Sequence, residues 1–157
     1  MASGLEDVHN GRAMNDLSAD RLAAIHARAF DGPARWSAPS FRKALADPAC
    51  FFISESDAAE GFALGRVVAD ECELLTLVVD PEFRRRGIAR TLLRCFETEA
   101  RRRGATRMFL EVAADNHFAL ALYEGAQWSA VGRRPAYYGD VDAILMERTL
   151  RQTQQAG

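Results

Sequence analysis

Three groups of residues have types and spacings that can do chemistry. The first is Arg84-Arg85-Arg86-Gly87, set between an apolar run that stops at Asp80-Pro81 and a helical pattern with Ile88, Leu92, Leu93, Phe96 and Ala100 on one face. Pro81 has no N–H to give to a ladder and holds Asp80 extended, so the strand ends there. A strand that runs through a basic, glycine-containing turn into the bare start of a helix makes an anion site. The first N–H groups of a helix lack internal partners, and the positive end of its dipole adds to their pull on a phosphate. The arginine triplet alone would fit a solvated charge run better, and it is the preceding strand, Gly87 and the following helix that turn the reading to an anion site. The second group is Glu111, inside the apolar strand pattern Met108-Phe109-Leu110-Glu111-Val112-Ala113, where an ionised carboxylate must find water, a partner or a shifted pKa. It is either a general base at the mouth of a cleft or a Glu on a partly wet sheet face. The third is Tyr123, in the middle of the next helix, which is either core with a satisfied hydroxyl or a proton donor. Behind an anion site, a carboxylate and a hydroxyl supply the two proton transfers that acyl transfer to an amine needs.

The elements that must position these residues can be read in order. Residues 1–12 are polar without periodicity and predict a flexible tail, with a short strand at 12–15. Ser18 is a candidate N-cap for a helix with Leu22, Ile25 and Ala29 on its apolar face. His26 lies near that face and receives no chemical role. Gly32-Pro33 breaks the chain, and a second helix runs from Ser37 to Asp47-Pro48. Three strands follow as a meander at 50–55, 61–69 and 71–79. After the helix that starts at Gly87, Gly104 ends it and 106–113 is a strand. Glu97 with Arg101 and Glu99 with Arg103, each four apart, predict ion pairs on the wet side of that helix. Asp115 or Asn116 caps a further helix to about 126 with Phe118, Leu122 and Ala126 inward. Strands at 128–133 and 143–149, joined by a loop at 134–140, close the chain, and residues 151–157 fray. A meander followed by strand, helix, strand, helix and strand predicts a single α/β domain over 13–150 with a mixed, mostly antiparallel sheet and helices on both faces.

The identity of the anion depends on which motif is missing. A P-loop needs Gly-Lys-Ser/Thr at the helix start and a dinucleotide fold needs three glycines at set spacing, and neither is present. Arg84-x-x-Gly87-x-Ala89, after Val78-Val79-Asp80-Pro81, resembles the coenzyme A pyrophosphate motif of the GNAT superfamily of N-acetyltransferases at all three of its fixed positions. The run Glu111-Val112-Ala113-Ala114-Asp115-Asn116 followed by Ala119-Leu120-Ala121-Leu122-Tyr123-Glu124 is similar to that of the RimI-type ribosomal-protein alanine N-acetyltransferases. So are Gly132-Arg133-Arg134 with Tyr137-Tyr138, Asp142-Ala143 with Met146, and Trp36-Ser37 with Phe41. The similarity covers most of residues 13–149. Two features depart from it: Ala126-Gln127-Trp128 stands where the family has Leu-Gly-Phe, and Thr76 stands where it has Asn.

The resemblance implies the GNAT acyl-CoA N-acyltransferase fold, acetyl-CoA as co-substrate and no metal. It implies that Glu111 accepts a proton and Tyr123 donates one. It further implies that acetyl-CoA is lined by Leu77, Val78 and Val79, by Arg84, Arg85, Arg86, Gly87, Ile88, Ala89 and Arg90, and by Asn116 at a helix cap. The pantetheine arm would pair with the end of the strand at 77–79, and a backbone N–H near Val79 would stabilise the oxyanion. A terminal α-amine, with a reference pKa of about 8 against about 10.4 for lysine, suits a carboxylate base. Trp36, Glu73, Tyr137 and Tyr138 are the candidates for a peptide groove, with the Glu73 carboxylate attracting the cationic terminus. The expected acceptor is the N-terminus of a peptide or protein, such as a ribosomal protein. The alternatives are a small-molecule amine, a polyamine or an antibiotic, and a non-catalytic acyl-CoA-binding module, which would need neither Glu111 nor Tyr123.

Composition bounds the remaining classes. The chain has 157 residues and a formal net charge of −2, with Lys43 its single lysine. Such a chain has no general attraction for nucleic acid. Cys50, Cys72 and Cys95 are odd in number, widely spaced and set in apolar segments, which fits small buried hydrophobes in a reducing compartment. No apolar run approaches the roughly 20 residues of a membrane span, and the start lacks the layout of a signal peptide. A cytoplasmic protein, monomeric or weakly dimeric and without a membrane partner, is expected.

Overall fold

The computed structural model describes residues 8–10, 16–30, 32–54, 61–84 and 86–150. In chain order the strands are β1 (Val8–Asn10), β2 (Cys50–Ser54), β3 (Gly61–Val68), β4 (Glu71–Val79), β5 (Arg107–Ala113), β6 (Ser129–Tyr138) and β7 (Val141–Thr149). The helices are α1 (Asp16–Ala29), α2 (Ala38–Ala46), α3 (Ile88–Arg102) and α4 (His117–Gly125). The strands form one sheet in the order β1-β2-β3-β4-β5-β7-β6. Among the described residues only β4 and β5 pair in parallel. The mixed, mostly antiparallel α/β architecture expected from the order of elements is the one found.

Helices cover both faces. On one face α3 and α4 bury Leu92, Leu93, Phe96 and Tyr123 against Phe51, Ile53, Cys72, Leu74, Met108 and Leu110. On the other, α1 and α2 bury Leu22, Ile25, Phe41 and Leu45 against Phe52, Phe62, Leu64 and Val78. Strands β2 and β3 therefore send alternate residues into two cores, which is why they read as unbroken apolar runs rather than alternating ones. Strand β5 differs. Met108, Leu110 and Val112 enter the α3/α4 core, while Phe109, Glu111 and Ala113 on its opposite face are only half-buried.

Local sequence accounts for the boundaries. Ser37 caps α2 by accepting from the Ser40 N–H at 3.3 Å, and the helix ends at Asp47. Gly87 starts α3 in the left-handed region, φ +75°, and offers no side-chain cap. Asn116 caps α4 by accepting from the Ala119 N–H at 3.1 Å. In β4, Leu64 of β3 faces Thr76 while its neighbour Gly65 faces Leu74, so Leu75 is an extra, bulged residue. One inserted residue exchanges the faces of every side chain beyond it. Leu74 before the bulge and Val79 after it enter the α3/α4 core, and Val78 enters the other.

Several expectations are corrected. Val8–Asn10 lies inside the segment expected to be a tail, yet pairs antiparallel with β2; three residues are too few to show a period. The strand expected at 12–15 lies outside the described residues, as do residues 151–157. Helix α1 starts at Asp16, so Ser18 sits in its first turn instead of capping it. Glu97 and Glu99 are buried rather than wet. Glu97 pairs with Arg148 of β7 across the core edge, whereas Glu99 makes the expected pair with Arg103 at 2.9 Å and a second with Arg102. Phe118 is exposed rather than inward. The loop expected at 134–140 is largely strand, because β6 is an edge on which Pro135 leaves no ladder bond unmade. Among the described residues no helix is long and apolar enough to cross a membrane.

Two backbone positions carry stability predictions. A Cβ on Gly65 would lie 2.4 Å from a ring carbon of Phe96 and 2.7 Å from one of Phe51, so α3 rests directly on this glycine. Gly65→Ala should lower unfolding free energy by about 1–3 kcal/mol, read as a reduced urea midpoint. Gln127, just past α4, holds a left-handed φ of +73° that a side chain resists. Gln127→Gly should raise stability by about 0.5–1 kcal/mol, and an unchanged midpoint would mean that the side chain makes a compensating contact.

Candidate active site

Strands β4 and β5 pair only over Glu71, Cys72 and Glu73 with Arg107, Met108 and Phe109. Beyond that point β4 continues on β3 as far as Val79, and β5 on β7 as far as Ala113. Their facing edges diverge and expose backbone N–H and C=O groups that a closed sheet would pair. A cleft of about 880 Å³ opens there, within the size range of small-molecule sites. Its walls include residues 73–79 of β4, residues 110–113 of β5, Trp36, Arg84, Ala89, Asn116, Phe118, Tyr123, Tyr137 and Tyr138.

At one end the cleft meets the start of α3. The first helical bond is donated by Thr91 to the Gly87 carbonyl at 3.1 Å, so the N–H groups of Ile88, Ala89 and Arg90 precede the ladder. Their orientation, with Arg84 at the same rim, suits a diphosphate. Leu77, Val78, Val79, Arg84, Ala89 and Asn116 line the cleft. Ile88 turns its side chain into the core, leaving only its backbone for a ligand. Arg86 lies over the Phe83 ring at 5.1 Å, and Gly87 and Arg90 are exposed beside the rim. Arg85 lies outside the described residues. The turn before the helix is fixed by the buried Asp80 carboxylate, which accepts from the Glu82 N–H at 3.1 Å and pairs with Arg28 of α1 at 3.0 Å.

At the other end two carboxylates approach each other. Glu73, at the crotch of the fork, has its pKa raised, first by burial and then by the negative charge of Glu111. Glu111 Oε1 is 3.1 Å from Arg134 Nη2. Its Oε2 is buried and has no hydrogen-bond partner among the described residues. Tyr138 is pushed up to about 12 by burial, by Tyr137 and by Glu111, and its hydroxyl makes a long contact of 3.5 Å to the Glu111 carbonyl. Tyr123 comes from α4 on the opposite face, largely buried but lining the cleft, and burial raises its pKa so that the hydroxyl keeps its proton. Glu111 alternates with Leu110 and Val112, which face the α3/α4 core, so it projects on the other side of the sheet. A carboxylate and a phenol thus reach one opening from opposite faces.

Strand β6 folds over the carboxylate end. Its register with β7 breaks between Arg134 and Tyr138, and Ala136 takes a positive φ of 51°. Asp142 pins this bulge: its carboxylate accepts from the Ala136 N–H at 2.9 Å and pairs with Arg133 at 3.0 Å. Arg134 then lies 5.3 Å over the Tyr137 ring while holding Glu111.

The structure brings Trp36, Glu73, Glu111, Tyr123, Tyr137 and Tyr138 to one cleft. Sequence reasoning gave no site role to Arg134, Phe118 or His26. A buried carboxylate on β5 required a cation, and Arg134 was the signal for it. Phe118 sits beside the Asn116 cap, and its helical period fits a core position although its side chain is exposed. Among the described residues, no group of three or more His, Cys, Asp or Glu could hold a metal ion.

The sequence matches the Acetyltransferase (GNAT) family over residues 19–126. The [ribosomal protein bS18]-alanine N-acetyltransferase of Escherichia coli K12 is 33% identical over 142 residues, 85% of this chain and 96% of that protein. The crystal structure of the ribosomal-protein-S18-alanine N-acetyltransferase from Escherichia coli aligns with a TM-score of 0.78 at 29% identity, covering 92% of this chain and 95% of that one. The N-alpha-acetyltransferase RimI of Mycobacterium tuberculosis is 36% identical over 156 residues, 94% of this chain and 96% of that protein. An uncharacterised protein of Mycobacterium leprae is 36% identical over 137 residues, and the chain spans 37% of its length. With a match that covers more than half of its residues, the split between β4 and β5 and the bare start of α3 intact, this chain belongs to the GNAT acetyltransferase family.

Proposed function

We propose that this protein moves the acetyl group of acetyl-CoA to the N-terminal α-amine of a protein, of the ribosomal-protein alanine type, in the cytoplasm. The observation that carries the reading is the cleft with Glu111 on one face of the sheet and Tyr123 on the other, in a chain whose full-length relatives are named for this reaction. The residues fit the co-substrate: the unpaired edge at 77–79 offers strand-like bonds to an amide-containing arm, and the N–H groups that open α3, with Arg84, suit its diphosphate. Acetyl-CoA supplies an activated thioester. What this chain supplies is placement and protons.

Glu73 and Glu111 set two carboxylates at their end of the cleft, where Arg134 pairs with Glu111 and the Arg66 guanidinium opposite Glu73 is shared with Asp47, so this end can receive a cationic terminus. The free Oε2 of Glu111 takes the amine proton, directly or through one water. The N–H groups along the open edge near Val79 hold the developing oxyanion. Tyr123, kept protonated by burial, gives its proton to the departing sulfur from the opposite face. Its ring rests on Trp128, 5.7 Å away, which fixes the direction of the hydroxyl. Trp36, Tyr137 and Tyr138 form the walls between which the acceptor chain lies.

The reading is tested by intact-mass analysis of peptides starting with Ala, Ser or Gly, an N-blocked lysine peptide and spermidine, each incubated with the protein and acetyl-CoA. A gain of roughly 42 daltons, one acetyl group replacing a proton, confined to free Ala or Ser termini is the expected result. Acetylation of spermidine alone would replace the acceptor, and binding of acetyl-CoA without any transfer would favour a binding module. Tyr123→Phe should lower kcat about 100-fold while calorimetry finds acetyl-CoA affinity unchanged; full activity would remove the proton donor from the scheme.

A further inference from the structure

His26 is almost wholly buried, 1% exposed, in the middle of α1, and the mechanism above makes no use of it. Both of its ring nitrogens are nevertheless committed. Nδ1 accepts from the backbone N–H of Trp36 at 3.1 Å, and Nε2 lies 2.9 Å from Thr76 Oγ1. A nitrogen that accepts cannot carry a proton, so the neutral ring is the Nε2–H tautomer and donates to Thr76. Burial, and then the positive charge of Arg35, lower its pKa to about 4. The ring is therefore neutral at physiological pH, and the arrangement is a fixed clamp rather than a switch. Its faces are packed as tightly as its edges: Phe30 stacks on it at 4.3 Å, and Phe41 meets it edge-on at 5.7 Å.

Both partners of the ring belong to the cleft. Thr76 reaches His26 only because the bulge at Leu75 turns it away from the α3/α4 core, where strict alternation from Cys72 and Leu74 would have put it. Trp36 sits in the connection between α1 and α2, and its ring packs on Phe41 at 5.2 Å. With Ala29, Phe30, Ala34 and Leu75, these two residues form the cleft wall on the α1/α2 side of the sheet, the side to which Glu111 projects and along the strand from Glu73. A wall made from a helix end, a loop and a bulged strand has no continuous ladder to hold its shape. The imidazole bridges the three pieces.

We propose that His26 is a positioning residue that locks Trp36 against Thr76, so that this wall admits only a small first side chain on the acceptor. This rests on the N-terminal α-amine reading above. A preorganised wall favours a ligand that fits and rejects a larger one that would need the loop to move. Thr76→Val keeps the side-chain shape but leaves the Nε2–H without its acceptor. Thr76→Ser keeps the acceptor.

The test measures KM and kcat for peptides starting with Ala, Ser, Val and Leu, and KM for acetyl-CoA, in wild type, Thr76→Val, Thr76→Ser and Trp36→Ala. Thr76→Val should raise KM for the Ala peptide about three- to tenfold and narrow the preference for Ala over Leu by a similar factor, with KM for acetyl-CoA unchanged. Thr76→Ser should restore both, and Trp36→Ala, which removes the ring but keeps the backbone N–H that His26 accepts, should also narrow the preference. Long-range proton–nitrogen spectra of the wild type should show the Nε2–H tautomer between pH 5 and 8. The proposal is overturned by an Nδ1–H tautomer, or by a wild-type Ala preference in both Thr76→Val and Trp36→Ala. A wild type inactive on every peptide overturns the acceptor reading and this inference with it, whereas an active wild type with indifferent variants overturns this inference alone.

Discussion

The structure depends on the failure of β4 and β5 to stay paired. A sheet that opens in its centre leaves two rows of backbone donors and acceptors without partners, at a cost comparable to several lost hydrogen bonds. The opening persists because each end is held by something else. At the closed end Arg107 pairs with Glu71 of β4 at 2.9 Å and with Glu147 of β7 at 3.1 Å, and the Thr106 N–H reaches the Asp70 carbonyl at 2.7 Å. At the open end Arg28 ties the Asp80 turn to α1, and β5 is kept straight by an unbroken seven-residue ladder with β7. The strands can neither close nor part, and the exposed edges become the binding surface.

Charge is arranged around that opening with the same asymmetry. The diphosphate end combines helix N–H groups with Arg84, whereas the acceptor end combines two carboxylates with Arg134 and with an Arg66 that is shared with Asp47. The two ends therefore sort their ligands by sign before any shape is read. Arg134 gives the half-buried Glu111 carboxylate a partner at Oε1 while leaving its buried Oε2 free. Asp142 makes this possible at a distance, since it holds the positive φ of Ala136 that carries Arg134 and the two tyrosines over the cleft.

How much of this was legible in the sequence depends on the range of the interaction that fixes each part. The β4–turn–α3 unit is local: a Pro ends the strand, a glycine takes φ +75°, and the 3.6-residue period of Ile88, Leu92, Leu93 and Phe96 continues the helix, so its boundaries could be read within a residue. The caps at Ser37 and Asn116 are local too: the sequence shows a helix start at Ser37, and it offers Asn116 beside Asp115 as the cap of α4. Glu97 was misread because its partner, Arg148, is far along the chain on β7, while an apparent partner sat four residues away. Phe118 has the period of a core residue but lies where the strands have separated, so nothing covers it. The bulge at Leu75 leaves no trace in an apolar run, because both faces of β4 are buried and the pattern reads the same with or without a slip. For that reason Thr76 looked like a departure from a family pattern, and only the fold shows it facing an imidazole.

The other departure has a physical reading of the same kind. A glycine after α4 would take the left-handed turn without strain, and Gln127 takes it at φ +73° with a side chain to accommodate. The next residue, Trp128, is 97% buried beneath Tyr123, larger than the Phe of the family pattern and with an Nε1–H that finds no partner among the described residues. Strain at one residue and an unsatisfied donor at the next are two costs at a single turn. Both are incurred where the chain places a rigid aromatic plate under the phenol that must keep one orientation. A Tyr held by hydrogen bonds would have its hydroxyl engaged, whereas a Tyr held only by ring packing keeps its proton available to the cleft. The turn gives up local stability, and Tyr123 gains a fixed ring with a free hydroxyl.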